Sequence, residues 1–196
     1  PNNRYWFNSS GTVGIAYQLR HGVALTAGGP FGKEQDFTEA AREFTRYCAE
    51  QSLTPCWYSV ADGHWAGLSS LGFRRVGVAQ ETVLPLAGID FRGKEWQNVR
   101  TAMNRAKKLG ITAHWGVYSG LSAGLRSQVH EISARWAATR SLPEMGFTLG
   151  GVEQLKDDHV LLCLAVDGEG TVLGVTSWLP VFRDGELVSR TLDLMR

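Results

Sequence analysis

Lys94, Arg100, Arg105, Lys107 and Lys108, five of the six basic side chains within residues 92–109, share that span with a single acid, Glu95. At roughly 100° per residue they occupy one arc of a helix. Trp96, Val99, Ala102, Met103, Ala106 and Leu109 occupy the opposite arc. This spacing predicts an amphipathic helix whose apolar stripe packs on a core and whose positive face meets a polyanion. A face that is merely solvated usually interleaves both signs. Near the end of the chain, Asp193 and Arg196 pair a carboxylate with a guanidinium three residues apart. On their own they read as an edge-strand charge pair. In a regular strand that spacing sends them to opposite faces, unless a bulge or the strand end brings them to one side.

Other chemistry-bearing residues give weaker signals. His21, His64, His114 and His130 have no recognisable catalytic partners in the sequence. His159 has the intrinsic acidity of a base near neutral pH but stands outside any motif. The run Gly28-Gly29-Pro30-Phe31-Gly32 has the glycine content of a phosphate cradle. Pro30 removes one of its amides, and the run reads better as a turn.

The 20 basic and 19 acidic residues leave a net charge of +1 that hides an asymmetry. Residues 1–89 balance, residues 90–140 carry 9 basic and 3 acidic side chains, and residues 141–196 carry 4 and 9. This is not a uniformly basic coat for nucleic acid. It suits one anionic partner beside a site for a cation, although several of the late acids sit in turns. With 196 residues, 43% hydrophobic and 20% charged, the chain can bury the core of one large domain or two small ones. No apolar run approaches the roughly 20 residues that span a bilayer, and the start has no signal-peptide pattern. It opens on Pro1 rather than Met, so it is expected to be part of a longer protein. Cys48, Cys56 and Cys163 form an odd set without CxxC spacing, which points to a reducing compartment and to no metal site.

Strands are predicted at 12–19 and 22–27 around a turn at Arg20-His21. Asp36 and Glu39 resemble a capping box that opens a helix with Phe37, Ala40, Ala41, Phe44, Tyr47 and Cys48 on one face. A strand at 56–61, a helix at 63–71 closed by Gly72, and one or two strands within 73–86 complete a ββαβαβ order. After Gly88 come the basic helix, a strand at 111–117 and a helix at 121–139. That helix aligns Leu121, Leu125, Val129, Ile132 and Trp136. A glycine-rich loop over 141–151 follows. Strands at 160–166 and 171–182 are joined by Asp167-Gly168-Glu169-Gly170, and Asp184-Gly185 marks a further hairpin. Mixed helices and hairpins predict an α+β fold with central sheets.

Three segments carry a family resemblance. Residues 99–106, VRTAMNRA, resemble an R-x-x-[apolar]-N-R helix. Residues 144–150, EMGFTLG, resemble an x-x-G-F-x-L-G segment, and 189–196, SRTLDLMR, resemble an S-x-x-x-D-L-M-R strand. Their order and spacing are similar to the C-terminal domain of the MprF family, the phosphatidylglycerol aminoacyltransferases. The resemblance implies a tandem GNAT-like α+β fold, with mixed sheets flanked by helices and two halves joined through the basic helix. Residues 1–87 would be the later part of the first half. Residues 88–196 would be the early part of the second, truncated at its C-terminus.

The same resemblance implies transfer of an aminoacyl group, lysyl being the family's common choice, from aminoacyl-tRNA to a hydroxyl of phosphatidylglycerol. That reaction alters membrane charge and resistance to cationic peptides. Aminoacyl-tRNA would be the co-substrate, with no separate cofactor and no DNA. The full-length protein would carry transmembrane helices and work at the cytoplasmic face of the bacterial membrane. Asp193 and Arg196 are the implied catalytic residues: Asp193 orients the hydroxyl or the substrate amine, and Arg196 holds a lipid phosphate or the oxyanion. Lys94, Arg100, Asn104, Arg105, Lys107 and Lys108 would hold tRNA. Glu144, Phe147, Leu149 and Gly150 would line the substrate path. The competing expectations are a CoA-dependent N-acetyltransferase and an RNA-binding module without chemistry.

Overall fold

The computed structural model describes residues 3–139 and 150–196. The chain divides into two compact units, Pro1–Thr82 and Val83–Arg196.

In the first unit, β1 (Arg4–Phe7), β2 (Val13–Arg20), β3 (Val23–Thr26) and β5 (Thr54–Cys56) line up as β1-β2-β3-β5. A two-residue strand, β4 (Phe31–Gly32), also pairs with β2. The β2–β3 hairpin turns on His21 and Gly22, both at positive φ, as a tight two-residue turn requires. Helix α1 (Phe37–Glu50) crosses from β3 to the parallel strand β5. It buries Ala40, Ala41, Phe44 and Cys48, the stripe that the periodicity predicts. Phe44 is fully buried, with the rings of Trp6, Tyr17, Tyr47 and Trp57 around it. Burial pushes the Cys48 thiol up to about 11. Replacing Phe44 by Ala removes the centre of this cluster. Unfolding of the domain in urea should then show a loss of about 3–5 kcal/mol, as for other large core aromatics.

Three expectations for this unit are corrected. The capping box is absent: Asp36 makes no side-chain bond to the helix, because its carboxylate accepts the Thr12 hydroxyl at 2.8 Å and Glu39 pairs with Arg42. The strand at 56–61 ends at Cys56, and the helix at 63–71 is the shorter α2 (Trp65–Ser70) after a turn of 3-10 helix. No strand forms within 73–86; Val76, Val78, Val83, Leu84 and Leu86 are exposed there. Alternating apolar residues favour a strand only where a neighbouring backbone completes the ladder, and none does here.

In the second unit, β6 (Thr112–Gly116), β7 (Leu161–Val166), β8 (Val172–Arg183) and β9 (Glu186–Met195) form an antiparallel sheet in chain order. The β8–β9 turn has Asp184 and Gly185 at positive φ, matching the predicted hairpin. Helix α4 (Ala123–Ala138) starts at Ser122, whose hydroxyl accepts the Leu125 amide. Its Val129 and Ile132 pack with Leu162, Leu164, Val175 and Leu194 of the sheet.

The basic helix is α3 (Gln97–Lys108), and here the expectation of a core-facing stripe fails. No residue of α3 is buried; Met103 is 55% and Leu109 59% exposed. Periodicity reports which face is apolar, not whether another element covers it. The helix entry is held locally: Trp96 packs edge-on against Phe91.

Candidate active site

The sequence left Asp193 and Arg196 on opposite faces unless the strand was irregular. It is irregular at that point. Thr176 pairs with Met195 and Trp178 pairs with Leu192, so two steps along β8 match three along β9. This is a β-bulge, which re-aims side chains. Within it, the Leu194 amide donates to the buried Ser177 hydroxyl at 3.0 Å. Beyond it the ladder resumes, with Arg196 and Val175 exchanging backbone bonds of 2.9 and 3.0 Å.

Both side chains consequently engage elements that cover one side of the sheet. Asp193 Oδ1 accepts the Gly150 amide at 2.8 Å. Gly150 leads into a 3-10 turn at Val152–Lys156, whose Leu155 shares the core with α4 and Leu194. The Arg196 guanidinium lies over the Trp136 indole of α4, its central carbon 3.5 Å from the ring centroid. A carboxylate with one oxygen held by a backbone amide can orient a hydroxyl or an ammonium with the other. A guanidinium held flat presents its in-plane donors to a phosphate or an oxyanion.

Gly150 is required by close approach: a Cβ there would run into Asp193 Oδ2. Gly150→Ala should displace the carboxylate and lower the rate of any reaction oriented by it by about tenfold to a hundredfold, as misplacement by about an ångström does elsewhere. Initial rates with the full-length protein check this. Of the other residues assigned to the substrate path, Glu144, Phe147 and Leu149 lie outside the described residues.

On α3, Asn104, Arg105, Lys107 and Lys108 are exposed; Lys94, expected on the same helix, is also exposed but lies in the bend before it, because the helix begins only at Gln97. Arg105, Lys107 and Lys108 crowd the last turn, where positive charge also suits the helix dipole. Arg100 differs from them. Its Nη1 donates to the carbonyls of Phe91 and Gly93 at 2.6 and 2.7 Å, so it fastens the loop that enters the helix.

Other polar and glycine-rich segments have local structural roles. Asp158 accepts the Ser119 hydroxyl at 2.6 Å and Asp157 accepts the His159 amide. The glycine-rich run is knitted into the first unit. The Gly28 amide donates to Tyr58, the Lys33 amide donates to Thr12, and Phe31–Gly32 forms β4. Two contributors to the site were not assigned to it from sequence. Ser177 seats the bulge, and Trp136 was placed only on the apolar stripe of α4. A tryptophan in the last turn of a helix carries no local mark of a distant arginine.

Fold and site together define an α+β protein of two sheets flanked by helices, with a carboxylate and a guanidinium at the end of a bulged strand. The chain belongs to the family of phosphatidylglycerol lysyltransferase C-terminal domains, whose profile matches residues 1–196. It is 40% identical over 197 residues to an uncharacterized protein of Corynebacterium glutamicum, covering 99% of this chain and 25% of that one. It is 26% identical over 190 residues to the lysylphosphatidylglycerol biosynthesis bifunctional protein LysX of Mycobacterium ulcerans, covering 97% of this chain and 17% of LysX. Among solved structures, L-PGS from Bacillus licheniformis superposes with a TM-score of 0.85 at 22% identity, over 100% of this chain and 58% of that one. The chain thus spans a quarter or less of these two relatives and little over half of the solved chain. Among the described residues, no helix is long and apolar enough to cross a membrane.

Proposed function

We propose that this domain transfers an aminoacyl group, lysyl in the first instance, from aminoacyl-tRNA to a glycerol hydroxyl of phosphatidylglycerol. The observation that carries the reading is the β9 bulge, which turns Asp193 and Arg196 toward elements on one side of the sheet. Family membership and the name of LysX support the lipid product.

The acceptor hydroxyl attacks the ester carbonyl carbon, a tetrahedral oxyanion forms, and the ribose oxygen of the tRNA departs carrying a proton. The hydroxyl is a poor nucleophile, so positioning supplies much of the acceleration. Asp193 orients the hydroxyl, and Arg196 carries the negative charge of the lipid phosphate or of the oxyanion. Lys94, Arg105, Lys107 and Lys108 hold the phosphates of the donor strand electrostatically, with little sequence preference. Asn104 adds a hydrogen bond to base or phosphate, and Arg100 shapes the helix entry. Aminoacyl-tRNA is the co-substrate and no further cofactor is invoked. In this reading the domain works at the cytoplasmic face, tethered to transmembrane helices, and reduces the anionic charge that attracts cationic peptides.

The test is to express the full-length protein in a bacterium that makes phosphatidylglycerol but no aminoacylated form, and to examine the lipid extract by mass spectrometry. Lysyl-phosphatidylglycerol in the extract, absent from the Asp193→Ala strain, is the expected result. An unchanged lipid profile with protein present in the membrane fraction contradicts the reading.

A further inference from the structure

We infer that Trp136 is a positioning residue for Arg196: the indole face holds the guanidinium flat so that its in-plane N–H groups meet one anionic centre. The inference rests on the proposed role of Arg196 in aminoacyl transfer.

The geometry favours positioning over ordinary core packing. The Arg196 central carbon sits 3.5 Å from the Trp136 ring centroid, a stacked cation–π contact. Stacking uses the face of a guanidinium and fixes the plane of its donor fork, in which Nη1 donates to the Met195 carbonyl at 3.2 Å. Both partners are anchored from beneath. Arg196 exchanges two backbone bonds with Val175. Trp136 lies four residues after Ile132 and seven after Val129, both buried against the sheet, so the same helix face delivers it to the strand end. Arg196 directly follows the last residue of β9; its Nη1 bond to Met195 is one restraint on its rotamers, and the indole adds another. Restricting them before substrate arrives reduces the entropy lost on binding. Asp193 is placed in the same manner by the Gly150 amide, so each charged group of the pair has its own brace.

The test is a double-mutant cycle in the full-length protein, reading kcat and KM for labelled lysyl-tRNA and phosphatidylglycerol vesicles. Trp136→Ala should lower transfer about tenfold, between the worth of an exposed and of a desolvated cation–π contact, with the KM for lysyl-tRNA within about twofold. Trp136→Phe, which keeps a π face, should retain most of the rate. Trp136→Leu, of comparable bulk without one, should lose it, and this pair decides the matter if Trp136→Ala does not fold. Arg196→Lys, which keeps charge but not the planar fork, should fall at least as far as Trp136→Ala.

In an Arg196→Ala background, changing Trp136 to Ala or Leu should have no further effect. If it instead costs the same factor as in the wild type, or none in the wild type, the inference is overturned while the role of Arg196 stands. If Arg196→Ala itself leaves transfer unchanged, the proposed role of Arg196 fails, and the positioning role fails with it.

Discussion

Asp193→Asn should lower the rate of aminoacyl transfer by about a hundredfold or more without unfolding the domain. The substitution separates two roles that the carboxylate could have. Oδ1 accepts the Gly150 amide, and an asparagine oxygen of the same shape can accept it equally well. If Asp193 only tied Gly150 to β9, the amide would suffice and activity would survive. The proposed chemistry needs the charge as well, to orient a hydroxyl or an ammonium. Asp193→Ala loses both functions, so it should be at least as slow and should also melt at a lower temperature. Removing a part-buried hydrogen-bond acceptor leaves the Gly150 amide without its partner, at about 1–3 kcal/mol. Initial rates and thermal melts of the two variants, measured together, separate chemistry from scaffold.

The second large effect belongs to α3. Reversing Arg105, Lys107 and Lys108 to Glu should weaken tRNA binding by about a hundredfold or more at moderate salt. It should also flatten the slope of log K against log salt by about two to three, at roughly 0.7–0.9 for each phosphate no longer neutralised. Neutral Gln replacements should produce a smaller shift in the same direction. They also control for the helix dipole, since negative charge in the last turn destabilises the helix by about 0.3–1 kcal/mol per residue. Arg100→Gln should behave differently. Its guanidinium holds the carbonyls of Phe91 and Gly93, so the variant should disturb the helix entry and leave the salt slope nearly unchanged. Filter binding or fluorescence anisotropy over a salt series measures all of these.

The second-unit strands and α4 were legible because their signals are local. Asp167–Gly170 and Asp184-Gly185 announce turns, and the 3.6-residue spacing of Leu125, Val129 and Ile132 announces a buried helix face. The β2–β3 hairpin and the buried stripe of α1 were legible for the same reason. Where a feature depends on a distant partner, the sequence said less. β1 is four residues long and becomes a strand by pairing with β2, and the apolar alternation of 73–86 finds no such pairing. The stripe of α3 was read correctly as apolar and wrongly as buried.

At the site, Asp193, Arg196 and Gly150 were each named from their motifs, but their arrangement was not. The bulge that reconciles the three-residue spacing depends on Ser177, across the ladder. The brace for Arg196 comes from Trp136, which no spacing rule connects to it.

The measurement that bears most directly on the central claim is a reconstituted transfer. Full-length protein in phosphatidylglycerol vesicles receives tRNA charged with radiolabelled lysine, and label is counted in the lipid extract. A parallel reaction contains free lysine and uncharged tRNA, and another contains labelled acetyl-CoA with an amine acceptor. The account predicts label in lipid only with lysyl-tRNA, and its disappearance in Asp193→Asn. Acetyl transfer, or saturable tRNA binding with no label in lipid from lysyl-tRNA or from an alanyl-tRNA control, would contradict it.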